Sequence, residues 1–268
     1  MFVTSGSARL AVDVTGDAAG PPVLMLHAGV ADRRSWAPLT RALGSGVRSI
    51  AVDRRGFGQT AYEPEPHSHV DDTVAVLDAL GVDPAAVVGA SMGGRLAFDL
   101  ALAHPDRVSA LVLVGAGVRG RPELAPMTEA VRALSDAIDA AEDAGALDEV
   151  NRLEAHVWLD GPEAPEGRVT GPVRDLFLDM NGIALAAADP GPVTELPSAW
   201  DRLEKIDVPA LVLVGDLDLP DVMACAEVLG ERLRDAEVRH LARTAHLPHM
   251  EPHPDCLGLI TDFLAAHH

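Results

Sequence analysis

The chain has 268 residues, 48% of them hydrophobic and 23% charged, with 21 basic against 41 acidic side chains for a formal charge of −20. That length and apolar share suit one large α/β domain or two small ones and exclude intrinsic disorder. So acidic a surface excludes nucleic acid and anionic membranes as partners and disfavours polyanionic substrates.

Aromatic residues make up only 3%, so the core has to be built from Ala, Val and Leu, and Lys205 is the only lysine. Met1 to Gly16 carries no basic region followed by an apolar stretch, and no run of about 18 apolar residues occurs, so a cytoplasmic protein without a membrane span is expected. Cys225 and Cys256 have no metal-ligand spacing and read as two buried thiols; no metal is expected.

In chain order, Phe2–Thr4 and Arg9–Val14 read as a hairpin turned at Ser5–Gly6. Val23–Leu26 and Ser49–Val52 are compact apolar runs, the second ending at Asp53-Arg54-Arg55-Gly56-Phe57-Gly58. A helical pattern covers His69 to Leu80 and stops at Gly81. Val87–Gly89 is a strand, Ser91 opens a helix ending near His104-Pro105, and Ser109–Val114 is another strand. Short buried strands alternating with amphipathic helices imply a parallel sheet covered on both faces. From Arg119 to Lys205 the rhythm breaks into a Pro- and Glu-rich, mostly helical stretch, read as an insertion capping the sheet's C-terminal edge. The strand Pro209–Val214, a helix at Val222–Leu233, a strand at Glu237–Leu241 and a helix from Pro254 to Ala266 complete the pattern. The expected division is a core of residues 1–118 and 206–268 with a cap of residues 119–205.

Chemistry concentrates at Gly89-Ala90-Ser91-Met92-Gly93, a G-x-S-x-G pentapeptide between a strand and a helix. A turn that sharp tolerates only small neighbours, and the helix after it aims free N–H groups where an oxyanion would develop. A serine nucleophile needs a base, and the base needs an orienting acid. Both follow in the right places: Gly215-Asp216-Leu217-Asp218 after one late strand and Thr244-Ala245-His246 after the last. On residues alone Asp216 competes with Asp218, and His249 or His253 with His246. His27-Ala28-Gly29, after Val23–Leu26, is small enough for a backbone N–H to approach a substrate carbonyl, so the N–H groups of Gly29 and Met92 form the expected oxyanion hole.

With these motifs in place the chain resembles the α/β-hydrolase superfamily, and within it the small carboxylesterase and enol-lactonase-like branch. The likeness spans nearly the whole chain. It rests on His27 to Arg33 with Trp36 after it, on Asp53 to Gly58 as the D-x-R-G-x-G loop, and on Gly215 to Asp218 as the G-x-x-D acid motif. It rests also on Ala245 to Pro252, where the histidine precedes a glutamate, and on Trp158-Leu159-Asp160-Gly161-Pro162, similar to a cap segment of such esterases. Ala28 and Ala245 stand where glycine is usual, both small departures. The resemblance selects Asp218 and His246. It implies the α/β-hydrolase fold, a mostly parallel eight-stranded sheet with helices on both faces and an inserted helical cap.

The implied activity is carboxylesterase-like acyl transfer without a cofactor: Ser91 attacks, His246 takes its proton, Asp218 orients the ring, and water frees the acyl-enzyme. Small, mostly apolar, uncharged esters are the expected substrates, with Val30, Trp158, Met180 and Leu247 as candidate contacts. Lactonase, enol-lactonase or carbon–carbon bond hydrolysis would use the same groups. A non-catalytic ligand-binding member of the fold is the reading from another class, and oligomeric state is left open.

Overall fold

The computed structural model describes residues 1–194 and 196–267. Its eight strands form one sheet in the order β1-β2-β4-β3-β5-β6-β7-β8. β1 (Phe2–Ser5) and β2 (Ala8–Thr15) make the N-terminal hairpin, turning at Gly6–Ser7, one residue later than the sequence suggests. β2 runs antiparallel to β4, and every pairing from β4 to β8 is parallel.

Period-two alternation feeds two cores, one on each face. In β3 (Pro22–Leu26), Leu24 and Leu26 enter one core while Val23 and Met25 enter the other. α1 (Ala37–Leu43) follows a single 3-10 turn and precedes β4 (Arg48–Val52); seven residues are too few to show a helical period, and Leu39 alone of them is buried. α2 (His69–Leu80) is bounded by local chemistry: the Ser68 hydroxyl accepts the Asp71 N–H at 3.2 Å, and Gly81 closes it in the left-handed region at φ 61°.

β5 (Ala85–Ala90) is buried along its whole length, then α3 (Met92–Ala103) and β6 (Val108–Val114) follow. Between β6 and β7 come α4 (Glu129–Asp143), α5 (Leu147–Ala155), a π-helical turn (His156–Asp160), α6 (Pro172–Leu185) and a 3-10 turn (Trp200–Lys205). β7 (Ala210–Gly215), α7 (Pro220–Arg232), β8 (Ala236–Leu241) and α8 (Cys256–Ala266) complete the chain. α2, α3 and α7 cover one face through Leu77, Leu100 and Leu229. α1 and α8 cover the other through Leu39 and Ile260, where Leu159, Phe177 and Met180 of the inserted helices join them. Cys225 and Cys256 are buried and free. No helix among the described residues is long and apolar enough to cross a membrane.

Candidate active site

Ser91 caps α3 at φ 51° and ψ −112°, one of two non-glycine residues among those described with positive φ. A side-chain-bearing residue held there costs about 1–3 kcal/mol. Neighbouring backbone over-determines the turn: Ser91 N–H donates to Val114 O at 2.9 Å, and Ser91 O accepts from Arg95 and Gly117 N–H, each at 3.0 Å. Glycine is required on both sides. A Cβ on Gly89 would lie 2.4 Å from Gly93 O, and one on Gly93 would lie 2.0 Å from Leu26 O.

His246 and Asp218 meet as a buried pair. The ring's Nδ1 lies 2.8 and 3.0 Å from the two carboxylate oxygens, and the side chains are 3% and 1% exposed. Asp218 also accepts the Leu219 N–H at 2.7 Å. With Nδ1–H donated to the carboxylate, the neutral ring leaves Nε2 as a bare acceptor, and Nε2 is buried with no partner among the described residues. The loop after β6 joins this pair to Ser91. Val114 at the end of β6 and Gly117 of this loop bond the Ser91 backbone, and a Cβ on Gly115 would lie 3.0 Å from His246 Nδ1.

The competing residues are occupied elsewhere. Asp216 is exposed and accepts the Arg243 N–H at 2.6 Å. His249 is buried, stacks on Trp36 at 4.2 Å between ring centres, and has neither nitrogen bonded. Burial and the neighbouring His246 push His249 down to about 3. The His253 ring accepts the Asp255 N–H at 3.2 Å, on a loop.

Gly29 and Met92 touch: a Cβ on Gly29 would lie 2.6 Å from Met92 Sδ. Met92 is the first residue of α3, where N–H groups have no intrahelical acceptor. Beneath this turn His27 is fully buried, its Nε2 accepting the Arg54 N–H at 3.1 Å. Burial and the nearby arginines hold its ring well below the usual histidine range.

Of the candidate substrate contacts, Trp158 lies over His246 with ring centres 4.7 Å apart. Val30 is half-buried and packs against the same hydrophobic cluster as Trp158. Met180 and Leu247 expose no surface; the Met180 thioether accepts the Asp32 N–H at 3.4 Å, tying the inserted helices to the sheet.

Sequence reasoning did not single out Arg168 and Glu251 as a pair. Glu251 accepts the Ala245 N–H at 2.8 Å and pairs with Arg168 at 2.7 Å. Arg168 also donates to the carbonyls of Leu159, Asp160 and Arg243 at 2.7, 2.6 and 2.9 Å. In the D-x-R-G-x-G loop Arg55 is scaffold, bridging Asp72 and Glu65, each at 2.8 Å. Among the described residues no group of three or more His, Cys, Asp or Glu could hold a metal ion.

The model of the α/β hydrolase fold family matches residues 21–252. A Bacillus subtilis (strain 168) protein provisionally named 2-succinyl-6-hydroxy-2,4-cyclohexadiene-1-carboxylate synthase is 30% identical over 281 residues, covering 99% of this chain and 98% of that protein. A thermophilic esterase from Thermogutta terrifontis matches with a TM-score of 0.74 at 25% identity, over 100% of this chain and 97% of the esterase. Est816, described as an N-acyl homoserine lactone degrading enzyme, matches with a TM-score of 0.69 at 26% identity over 100% of both chains.

Proposed function

The chain belongs to the α/β-hydrolase family, and on that premise we propose that it is a serine hydrolase of small carboxylic esters, with Ser91 as nucleophile, His246 as base and Asp218 as orienting acid. The observation that carries this reading is the buried Asp218–His246 pair at 2.8 Å, linked through Val114, Gly115 and Gly117 to a serine held at strained dihedrals.

In the first half-reaction Ser91 Oγ bonds to the ester carbonyl carbon while its proton passes to His246 Nε2. Asp218 keeps the ring oriented and stabilises its charged form. The N–H groups of Gly29 and Met92 receive the oxyanion; one such donor is worth about 2.7–4 kcal/mol to the transition state. The carbon–oxygen bond to the alcohol then breaks, and the alcohol leaves with the histidine's proton. Water attacks the acyl-enzyme with His246 again as base, releasing the acid and restoring Ser91. Trp158 overlies the base and gives the acyl or alcohol group an apolar surface beside it.

Turnover of p-nitrophenyl acetate and butyrate tests the reading. Ser91→Ala is expected to lower kcat at least about 10³-fold, and a fluorophosphonate to label Ser91 in the wild type alone. Undiminished turnover by the variant would refute the assignment. The likeness to Est816 favours a second reading, lactone hydrolysis by the same groups. Comparing N-butyryl homoserine lactone with p-nitrophenyl butyrate as substrates separates the two.

A further inference from the structure

Arg54 has no task in the chemistry above. It follows Asp53 just beyond β4 and is 5% exposed, with its guanidinium over the Phe57 ring at 4.6 Å. Nη2 donates to the carbonyls of His27 and Ala28 at 3.3 and 3.2 Å, while Nε is buried with no partner. Among the described residues no carboxylate pairs with it, whereas adjacent Arg55 takes two. An uncompensated buried cation is costly. Burial and repulsion from Arg95 pull the guanidinium down to about 10, so it is still charged at neutral pH.

This group forms part of the wall of a cavity of about 180 Å³, shared with Met92, Arg95, His69 and the apolar Val70 and Leu96. Arg119 is also in the wall, paired with Asp99 at 2.8 Å. Arg95 and Arg119 both have partners, which leaves Arg54 as the lining guanidinium for which no carboxylate is described. His69 adds an Nδ1 that is buried without a partner. Met92 directly follows Ser91 in the chain, so the cavity wall adjoins the proposed nucleophile through that one residue.

From this juxtaposition we propose that the cavity is a carboxylate subsite, and that the preferred substrate is a short ester or lactone bearing one carboxylate that pairs with Arg54. The proposal rests on the serine-hydrolase reading and replaces the uncharged esters expected from sequence with a monoanionic class. A planar carboxylate matches the guanidinium fork. The apolar walls and the net charge of −20 disfavour a dianion such as a phosphate ester.

The test pairs substrates of similar size with and without a carboxylate. Mono-4-nitrophenyl glutarate is compared with 4-nitrophenyl pentanoate, and 4-acetoxybenzoate with its methyl ester, to sample the acyl and alcohol sides. On at least one side the wild type is expected to favour the carboxylate by tenfold or more in kcat/KM. Arg54→Met is expected to bring that ratio close to one; a ratio within one variant cancels general damage to catalysis. Calorimetry on Ser91→Ala gives a readout free of turnover, with monomethyl glutarate expected to bind at least tenfold tighter than methyl pentanoate. That comparison and the wild-type ratio decide the matter if Arg54→Met does not fold. Should the wild type hydrolyse no ester while Ser91→Ala still prefers monomethyl glutarate, the hydrolase reading fails and the subsite stands. No preference on either side, equal binding by Ser91→Ala, or a preference that survives Arg54→Met overturns the subsite.

Discussion

His249 and His246 lie three residues apart with identical rings, yet only His246 meets a carboxylate. His249 is sealed against Trp36 with both nitrogens unbonded, which makes it a liability in acid. Its folded value of about 3 lies below the ordinary 6.5, so the unfolded chain binds the proton more readily than the native state. The stability this neutral ring contributes is present above pH 6.5 and is lost as pH falls toward 3. Between pH 6.5 and 5.5 the loss is about 1 kcal/mol. His69, lowered to about 4 by burial and Arg54, acts in the same direction. His249→Phe keeps the stack and removes the titration, so its melting temperature is expected to fall less steeply than the wild type's over that interval; parallel curves would show the ring is not the source. Residue chemistry alone left Asp216 and Asp218 open because the two are the same acid two residues apart; what separates them is burial, a property of the folded loop. Arg54 was illegible for a related reason. In Asp53-Arg54-Arg55 it falls on the unspecified position of the motif, and nothing local says that Arg55 takes the carboxylates while Arg54 lines a cavity.

At the scale of elements, the side chain of Arg168 fastens the π-helical turn carrying Trp158 to the loop carrying His246. Arg168 holds the turn through the Leu159 and Asp160 carbonyls and the loop through Arg243 O and Glu251. Glu251 in turn holds the Ala245 N–H, next to His246. Arg168→Met leaves a carboxylate 4% exposed without its cation, at a cost on the order of 3 kcal/mol. Thermal unfolding is expected to show that loss, and Arg168→Met with Glu251→Gln is expected to be more stable than Arg168→Met alone. If the double variant is the less stable of the two, the pair is not coupled. The strands β5, β6 and β7 were legible because burial on both faces makes them unbroken apolar runs. α1 was not, being seven residues with one buried position, and a π turn has no sequence period to read.

Over the whole molecule, 41 acidic side chains against 21 basic ones set up a self-repulsion that the fold has to overcome. Salt screens it, because the Debye length falls from about 30 Å at 0.01 M to about 3 Å at 1 M. Raising NaCl from 20 to 500 mM is therefore expected to raise the melting temperature by roughly 2–5 °C. A fall would mean that exposed ion pairs such as Arg234–Asp207 outweigh the net charge.

The end of β6 offers a separate lesson. Val114 and Gly117 grip the serine's backbone and Gly115 backs the histidine ring, so both Ser91 and His246 take their positions from four consecutive residues, 114–117. The roof is inserted directly downstream of that gauge and can be rebuilt without recalibrating it. Substitutions above are then free to change what is turned over, whereas those in the gauge decide whether anything is.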